Sequence, residues 1–469
     1  MGAPTEASSA DEQGSTSYPD GLPVPRRYWA IAATVLAITM SVLDSSIANV
    51  ALPSIARDFH TTNAASIWVI NAYQIAILAA ILPLASLGEI VGYRRISQAG
   101  LLVFTLASIG CAFSTSLLSL SIARVIQGLG AAGIMSVSPA LVRFIYPQRL
   151  LGRAIGINAF AVACSAAIGP TIAAAVLSIA PWPWLFGING PIGLVTFIIA
   201  VRALPETGKS QRRLNHVGAL LNAATFALLV SGLQALAHDS AASLAAVQLA
   251  AACLLGAALV RHELRRAAPI IPFDLLKISL FSLSIATSIS SFMAQTAGLV
   301  ALPFEIQRLG RSAVETGLLM TPWPVAVAVA APIAGRLADR YPAGILGGLG
   351  LLCMAAGLSL LALFPEGGSA ADFIWRMALC GLGFGFFQTP NNRAMLSSAP
   401  RSRSGAAGGM LATARLLGQT LGAALVAILF RAYPGTGSNV VLWAAAVVAL
   451  AAAVISAVRL AGDAGAAAG

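Results

Sequence analysis

Asp44 and Arg124 each stand inside a long apolar run, where burying a charge is costly and a charged side chain marks a working position. A carboxylate in such surroundings can take up and release a proton, or pair with a cation. Ala48 and Ala51 follow Asp44 on the same helical face and leave space beside it. Arg124, in Arg124-Val125-Ile126-Gln127-Gly128, keeps its proton, so its chemistry is that of a fixed cation perturbing a neighbouring carboxylate. Each residue also has a plainer reading. Asp44 could be a packing acid bonded to a nearby backbone or hydroxyl group, and Arg124 a cation held by loop carbonyls or reaching to the membrane interface. Arg415 is open to the same two readings, and Glu305 reads as an interface acid near Arg308.

Neutral polar and aromatic residues in the same runs are candidates to line a cavity. They are Trp68, Asn71, Tyr73, Gln74, Asn158, Phe292, Gln295, Phe384, Gln388, Asn391 and Asn392. A large, aromatic, sparsely polar cavity suits bulky amphipathic ligands, whereas any one of these residues is as readily a packing residue. Gly169-Pro170 removes a helical hydrogen bond and is a candidate hinge or a tolerated kink. Two short turns say nearly the same thing in each half of the chain: Leu87-Gly88-Glu89-Ile90-Val91-Gly92-Tyr93-Arg94-Arg95 and Gly335-Arg336-Leu337-Ala338-Asp339-Arg340-Tyr341. A charge cluster recurring at matching places points to a duplicated bundle whose halves move against each other, as in a carrier.

Many apolar helices are needed to position these residues. Of 469 residues, 58% are hydrophobic and 10% charged, with a mean hydropathy of +0.84; a soluble protein carries about 25% charged residues. Lipid is therefore the solvent for most of the chain. Runs of the length that spans hydrocarbon fall at 28–52, 65–87, 96–115, 117–141, 152–180, 184–203, 217–236, 242–260, 278–303, 316–337, 344–364, 372–397, 405–431 and 438–459. Spans 4 and 12 share Gly128-Leu129-Gly130 and Gly381-Leu382-Gly383, which pairs two six-helix halves. The division is a disordered tail at 1–27, a first half at 28–203, two inserted helices with linkers at 204–277, a second half at 278–459 and a short tail at 460–469.

The net charge of +11 is spread through short loops rather than gathered on one face, which excludes a nucleic-acid surface and reads as a topology signal. Lys and Arg favour the loops on the amino-terminal side by about four to one, which puts both termini in the cytoplasm. The five cysteines lie in apolar runs and the four histidines are scattered, so neither set has metal-ligand spacing. There is no phosphate loop and no catalytic triad, so the chain is not expected to be an enzyme or to use ATP. No cofactor is expected.

At these residues the chain resembles the major facilitator superfamily, and within it the fourteen-span drug:proton antiporter branch. Asp44 to Pro53 matches a first-span element, an acid followed by Asn-x-Ala-x-Pro. The loop signature GxLaDrxGrr matches Gly335 to Arg340. In its first copy Ala85 replaces the Gly, Glu89 the Asp and Ile90 the Arg, while Gly92, Arg94 and Arg95 are retained. Arg124 to Gly130 matches Arg-x-x-Gln-Gly-x-Gly, and Trp184 to Gly193 matches the span-6 element. Of the span-5 antiporter signature Gly169-Pro170 is kept, with Ala173 and Ala174 in place of glycines.

The resemblance implies an all-α polytopic major-facilitator fold whose halves rock about a central site, driven by the proton gradient. It assigns coupling to Asp44, with Arg124 beside it, and gives Glu89, Gly92, Arg94, Arg95, Gly335, Asp339 and Arg340 to a latch on the inner face. The expected function is export of hydrophobic, cationic drugs in exchange for protons at the bacterial inner membrane. The partners are a small-molecule substrate and the lipid bilayer, and the functional unit is a monomer. The competing readings are a carrier of one specific metabolite and a non-transporting membrane sensor.

Overall fold

The computed structural model describes residues 20–61, 66, 68–208, 215–237, 242–266, 271–311, 313–365, 367–433 and 436–467. Most of the expected amino-terminal tail and the linker residues Lys209, Arg212 and Arg213 lie outside these. Among the described residues the regular elements are helices. The first half holds α1 (Arg26–Asp58), α2 (Trp68–Val91), α3 (Tyr93–Ala112), α4 (Leu117–Ile145), α5 (Leu151–Leu177) and α6 (Pro183–Ala203, broken at Ile188). The insert is α7 (His216–Ala237) and α8 (Ala242–Glu263). The second half holds α9 (Ser279–Arg308), α10 (Glu315–Leu337), α11 (Ala343–Ala362), α12 (Ala370–Ser398), α13 (Ser404–Ala432) and α14 (Gly437–Ala467).

Thirteen of these are long and apolar enough to cross a membrane. The remaining expected span, 152–180, is α5, with 27 residues, some of whose side chains lie outside the description. The last helix runs into the stretch expected as a tail at 460–469, as its alanine-rich composition favours. Local chemistry sets the ends. Ser116 and Ser119 form a reciprocal cap at the start of α4. Gly92, at φ 102°, makes the sharp turn from α2 into α3 in a conformation other residues rarely adopt.

The packing repeats. α4 packs on α1, α2 and α3 as α12 packs on α9, α10 and α11. α1 meets α5 and α6 as α9 meets α13 and α14. The halves join along two seams that correspond by this repeat, α2 with α13 and α5 with α10. α7 lies against α2 and α13, and α8 against α7. One apolar cluster, including Phe104, Val137, Phe281, Met395 and Ala407, draws from both halves toward the end where α1 starts and α12 finishes. Toward the far end the cores separate. One is built from Ile47, Ile55, Trp182 and Phe186, the other from Leu302, Trp323, Phe387 and Val441.

Candidate functional site

Small residues on α4 bring the site together. A side chain at Gly128 would meet the Tyr73 carbonyl at 2.6 Å, and one at Gly130 the Gly100 carbonyl at 2.7 Å, so α4 presses directly on the backbones of α2 and α3. One turn earlier Arg124 is wholly buried. It donates through Nη1 to Asp44 and, at 2.7 Å, to Gln127, and through Nε to the Val69 carbonyl at 3.0 Å. Its guanidinium lies 4.1 Å from the Tyr73 ring centre and 5.5 Å from that of Phe186. Asp44, also buried, accepts at Oδ1 from Gln127 Nε2 at 2.8 Å and from Asn189 Nδ2 at 3.0 Å. Gln127 also donates to Ser108 at 2.7 Å. Asn189 reaches Asp44 because it sits at the break in α6. Arg124 therefore does not reach to the membrane interface. It forms a buried ion pair inside the first half, one in which each charge depends on the other for its solvation.

The other candidates divide by environment. Tyr73 is in the core and donates to the Ser41 carbonyl at 3.1 Å. Phe292 and Phe384 stack edge to face at 5.2 Å in the second half's core. Asn391 is wholly buried and donates to the Ser284 carbonyl at 3.1 Å and to Ser288 at 2.9 Å, while accepting from Arg459. Tyr73, Phe292, Phe384 and Asn391 thus pack a half internally rather than line a space between the halves. Asn71 is buried; Asn158, Gln295, Gln388 and Asn392 are partly buried, and Trp68 and Gln74 are exposed at the start of α2. Gly169 packs on Ser46 of α1 within an unbroken α5, and the Pro170 side chain lies outside the described residues. Glu305 pairs with Arg308 at 2.6 Å. Arg415 of α13 faces Met135 of α4 across the halves, and its Nε has no partner among the described residues.

At the seams the two turn acids act alike. Glu89 accepts the Ala406 N–H at 2.9 Å, in the first turn of α13. Asp339 accepts the Gly152 N–H at 3.2 Å, in the first turn of α5. Each acid thus caps a helix start of the opposite half, where free N–H groups and the helix dipole favour a negative charge. The helices can approach because Gly335 lies against Gly152, 2.6 Å from a built side chain to the carbonyl. Gly92 holds the turn beyond Glu89.

The cations at the seams are not those expected. Glu89 pairs with Arg403 at 3.0 Å, which also forks onto Asp274 at 2.8 and 2.9 Å, and Asp339 pairs with Arg393 at 3.3 Å. Arg94 bonds the Val201 carbonyl of its own half and lies 3.6 Å from Glu206 in the adjoining linker, while Arg95 and Arg340 are exposed. Arg143 adds a cross-half bond to the Ala399 carbonyl at 2.6 Å. Burial holds the Asp339 carboxyl above the usual carboxylate range despite Arg393. At Asp274 burial pushes the same way, but the hydrogen bonds and charge of Arg403 outweigh it and the carboxyl sits below that range.

Gln127, Asn189, Arg393 and Arg403 were not singled out from sequence. The first two stand inside the Arg124–Gly130 and Trp184–Gly193 elements, whose spacing gives no sign that both point at one carboxylate.

Comparison with known proteins agrees with this architecture. The sequence pattern of the Major Facilitator Superfamily matches residues 34–423 and 283–467. An uncharacterized transporter of Escherichia coli (strain K12), YebQ, is 54% identical over 444 residues, covering 94% of this chain and 97% of its own. The riboflavin transporter RibZ of Clostridioides difficile (strain 630) is 29% identical over 409 residues, covering 86% and 89%. The multidrug resistance protein Stp of Mycobacterium tuberculosis (strain CDC 1551 / Oshkosh) is 31% identical over 407 residues, covering 86% and 76%. Two packed six-helix halves, turn acids reaching across both seams and a pattern match over most of the sequence have one explanation: this chain is a multi-pass membrane transporter of the Major Facilitator Superfamily.

Proposed function

We propose that this transporter exports hydrophobic, cationic compounds in exchange for protons across the bacterial inner membrane, with both termini in the cytoplasm. It works as a single chain and needs no cofactor beyond the proton gradient. The observation that carries the reading is the buried Asp44–Arg124 pair. Protonating Asp44 cancels the attraction that holds Arg124 and leaves a cation buried without its counter-charge, a loss of about 3–5 kcal/mol for such pairs. A bias of that size is ample to shift a two-state equilibrium. Proton uptake is thereby linked to movement of α1 against α4, and through the halves to alternating access. Similarity to a multidrug resistance protein supports export of toxic compounds.

A second reading has its own support. Arg415, partly buried between the halves with an unused donor, suits an anionic or carbonyl-bearing solute, and one relative is a riboflavin transporter. Reconstituted vesicles with a trapped pH dye separate the two. Under an imposed gradient, several unrelated lipophilic cations should each trigger proton movement, and Asp44→Asn should abolish it while remaining inserted. Coupled flux surviving in Asp44→Asn would refute the role of Asp44. Silence with every cation but a response to riboflavin would establish the narrow carrier.

A further inference from the structure

Pro83 stands inside α2, which stays helical through it. A proline has no N–H, so the carbonyl four residues earlier loses its helical partner. Here that carbonyl belongs to Ala79. Within the hydrocarbon no water makes up the loss, and the freed oxygen must find a donor inside the protein. The donor is Asn222 of the inserted helix α7, whose Nδ2 lies 2.9 Å from the Ala79 oxygen. Asn222 is wholly buried, and its own Oδ1 has no hydrogen-bond partner among the described residues. A half-satisfied amide in an apolar helix is a poor packing residue, so packing alone does not account for it. Its place does. α7 lies on α2 and α13, the helices of one seam, and beyond Pro83 α2 carries Glu89.

We propose that Asn222 is a positioning residue for the gate: by bonding the carbonyl freed at Pro83 it ties α2 to α7 at that point and so places Glu89 against Arg403 and the first turn of α13. The inserted pair α7 and α8 is then part of the gate rather than a spacer. Any movement of α2 away from α7 at Ala79 costs this bond, so the bond favours the form in which Glu89 meets Arg403.

Amide hydrogen exchange by mass spectrometry on the full chain in nanodiscs tests this without any substrate. Four proteins complete the cycle: wild type, Asn222→Leu, Pro83→Ala and the double variant. Asn222→Leu should speed exchange about threefold to tenfold in the α2 peptide around Ala79 to Leu87 and in the first turn of α13. Pro83→Ala restores an N–H for the Ala79 carbonyl, so in that background Asn222→Leu should have almost no effect on either peptide. Equal effects in both backgrounds would mean that Asn222 only packs, and the proposal falls. Changes confined to α7 and α8, or none, overturn it as well. If Asn222→Leu is not recovered folded, Asn222→Ala takes its place in the same cycle.

Discussion

In the first half Gly128 and Gly130 let α4 touch α2 at Tyr73 and α3 at Gly100; in the second, Gly381 and Gly383 let α12 touch α10 at Trp323 and α11 at Gly350. Counted from those glycines, Arg124 answers to Met377 and Gln127 to Cys380. Gly169 beside Ser46 answers to Gly422 beside Thr296, which sets Ala294 at the place of Asp44. Met377, Cys380 and Ala294 are all wholly buried. The second half thus reaches the same helix packing with apolar side chains. The fold does not require the Asp44–Arg124 pair, and apolar replacements of buried ion pairs are often no less stable. A charge kept where an apolar residue would pack serves something other than packing.

Imposing the second half's apolar pattern on the first half should have the largest effect. Arg124→Met alone strands Asp44 in the core and should cost about 3–5 kcal/mol, read as a lowered thermal midpoint in detergent. Adding Asp44→Ala should recover most of that loss while leaving no proton-coupled flux. A double variant no more stable than the single one would mean that the halves are not equivalent scaffolds.

The two seams offer a finer comparison. Glu89 is buried with Arg403, so Glu89→Gln should weaken closure by about 1–3 kcal/mol, seen as faster exchange at the Ala406 amide. Asp339→Asn should cost less than about 1 kcal/mol at the Gly152 amide, because its side-chain oxygen still accepts that N–H and Arg393 stays partly hydrated.

Acid should treat the seams differently too. The Asp274 carboxyl sits below its ordinary value, so its bond to Arg403 stabilises this form above that value and is lost as the pH falls through the lowered one. The Asp339 carboxyl sits above its ordinary value, so its ionised form is disfavoured here and acidification relieves rather than loosens that seam. The gap in thermal midpoint between wild type and Asp274→Asn should accordingly shrink on going from about pH 5 to about pH 3. The smallest effects belong to Arg94→Ala and Arg340→Ala, each within about 0.5 kcal/mol by the same measurement, since Arg94 bonds its own half and the adjoining linker and Arg340 is exposed.

The spans, the repeat and the acids Asp44, Glu89 and Asp339 were legible in the sequence because each depends on local composition: a long apolar run, or a charge breaking one. Partners were not. Glu89 meets Arg403 at a separation of 314 residues, while Arg94 and Arg95 lie close by in sequence and face elsewhere. Asp44 and Arg124 could each be read as out of place, but that they cancel each other depends on how α1 crosses α4. Phe292, Phe384 and Asn391 looked like a cavity wall because a helix inside a bundle is apolar and aromatic on more than one face. Only the packing of α9 on α12 distinguishes a face turned to a neighbour from one turned to a path.

The shared apolar cluster at the end where α1 starts has a calorimetric consequence. Opening that end wets side chains such as Phe281, Met395 and Ala407, which raises the heat capacity. Opening the far end, where the two cores are already separate, wets far less. The conformational equilibrium should therefore curve with temperature, and cooling, by weakening apolar association, should draw the halves apart at the end where they now touch.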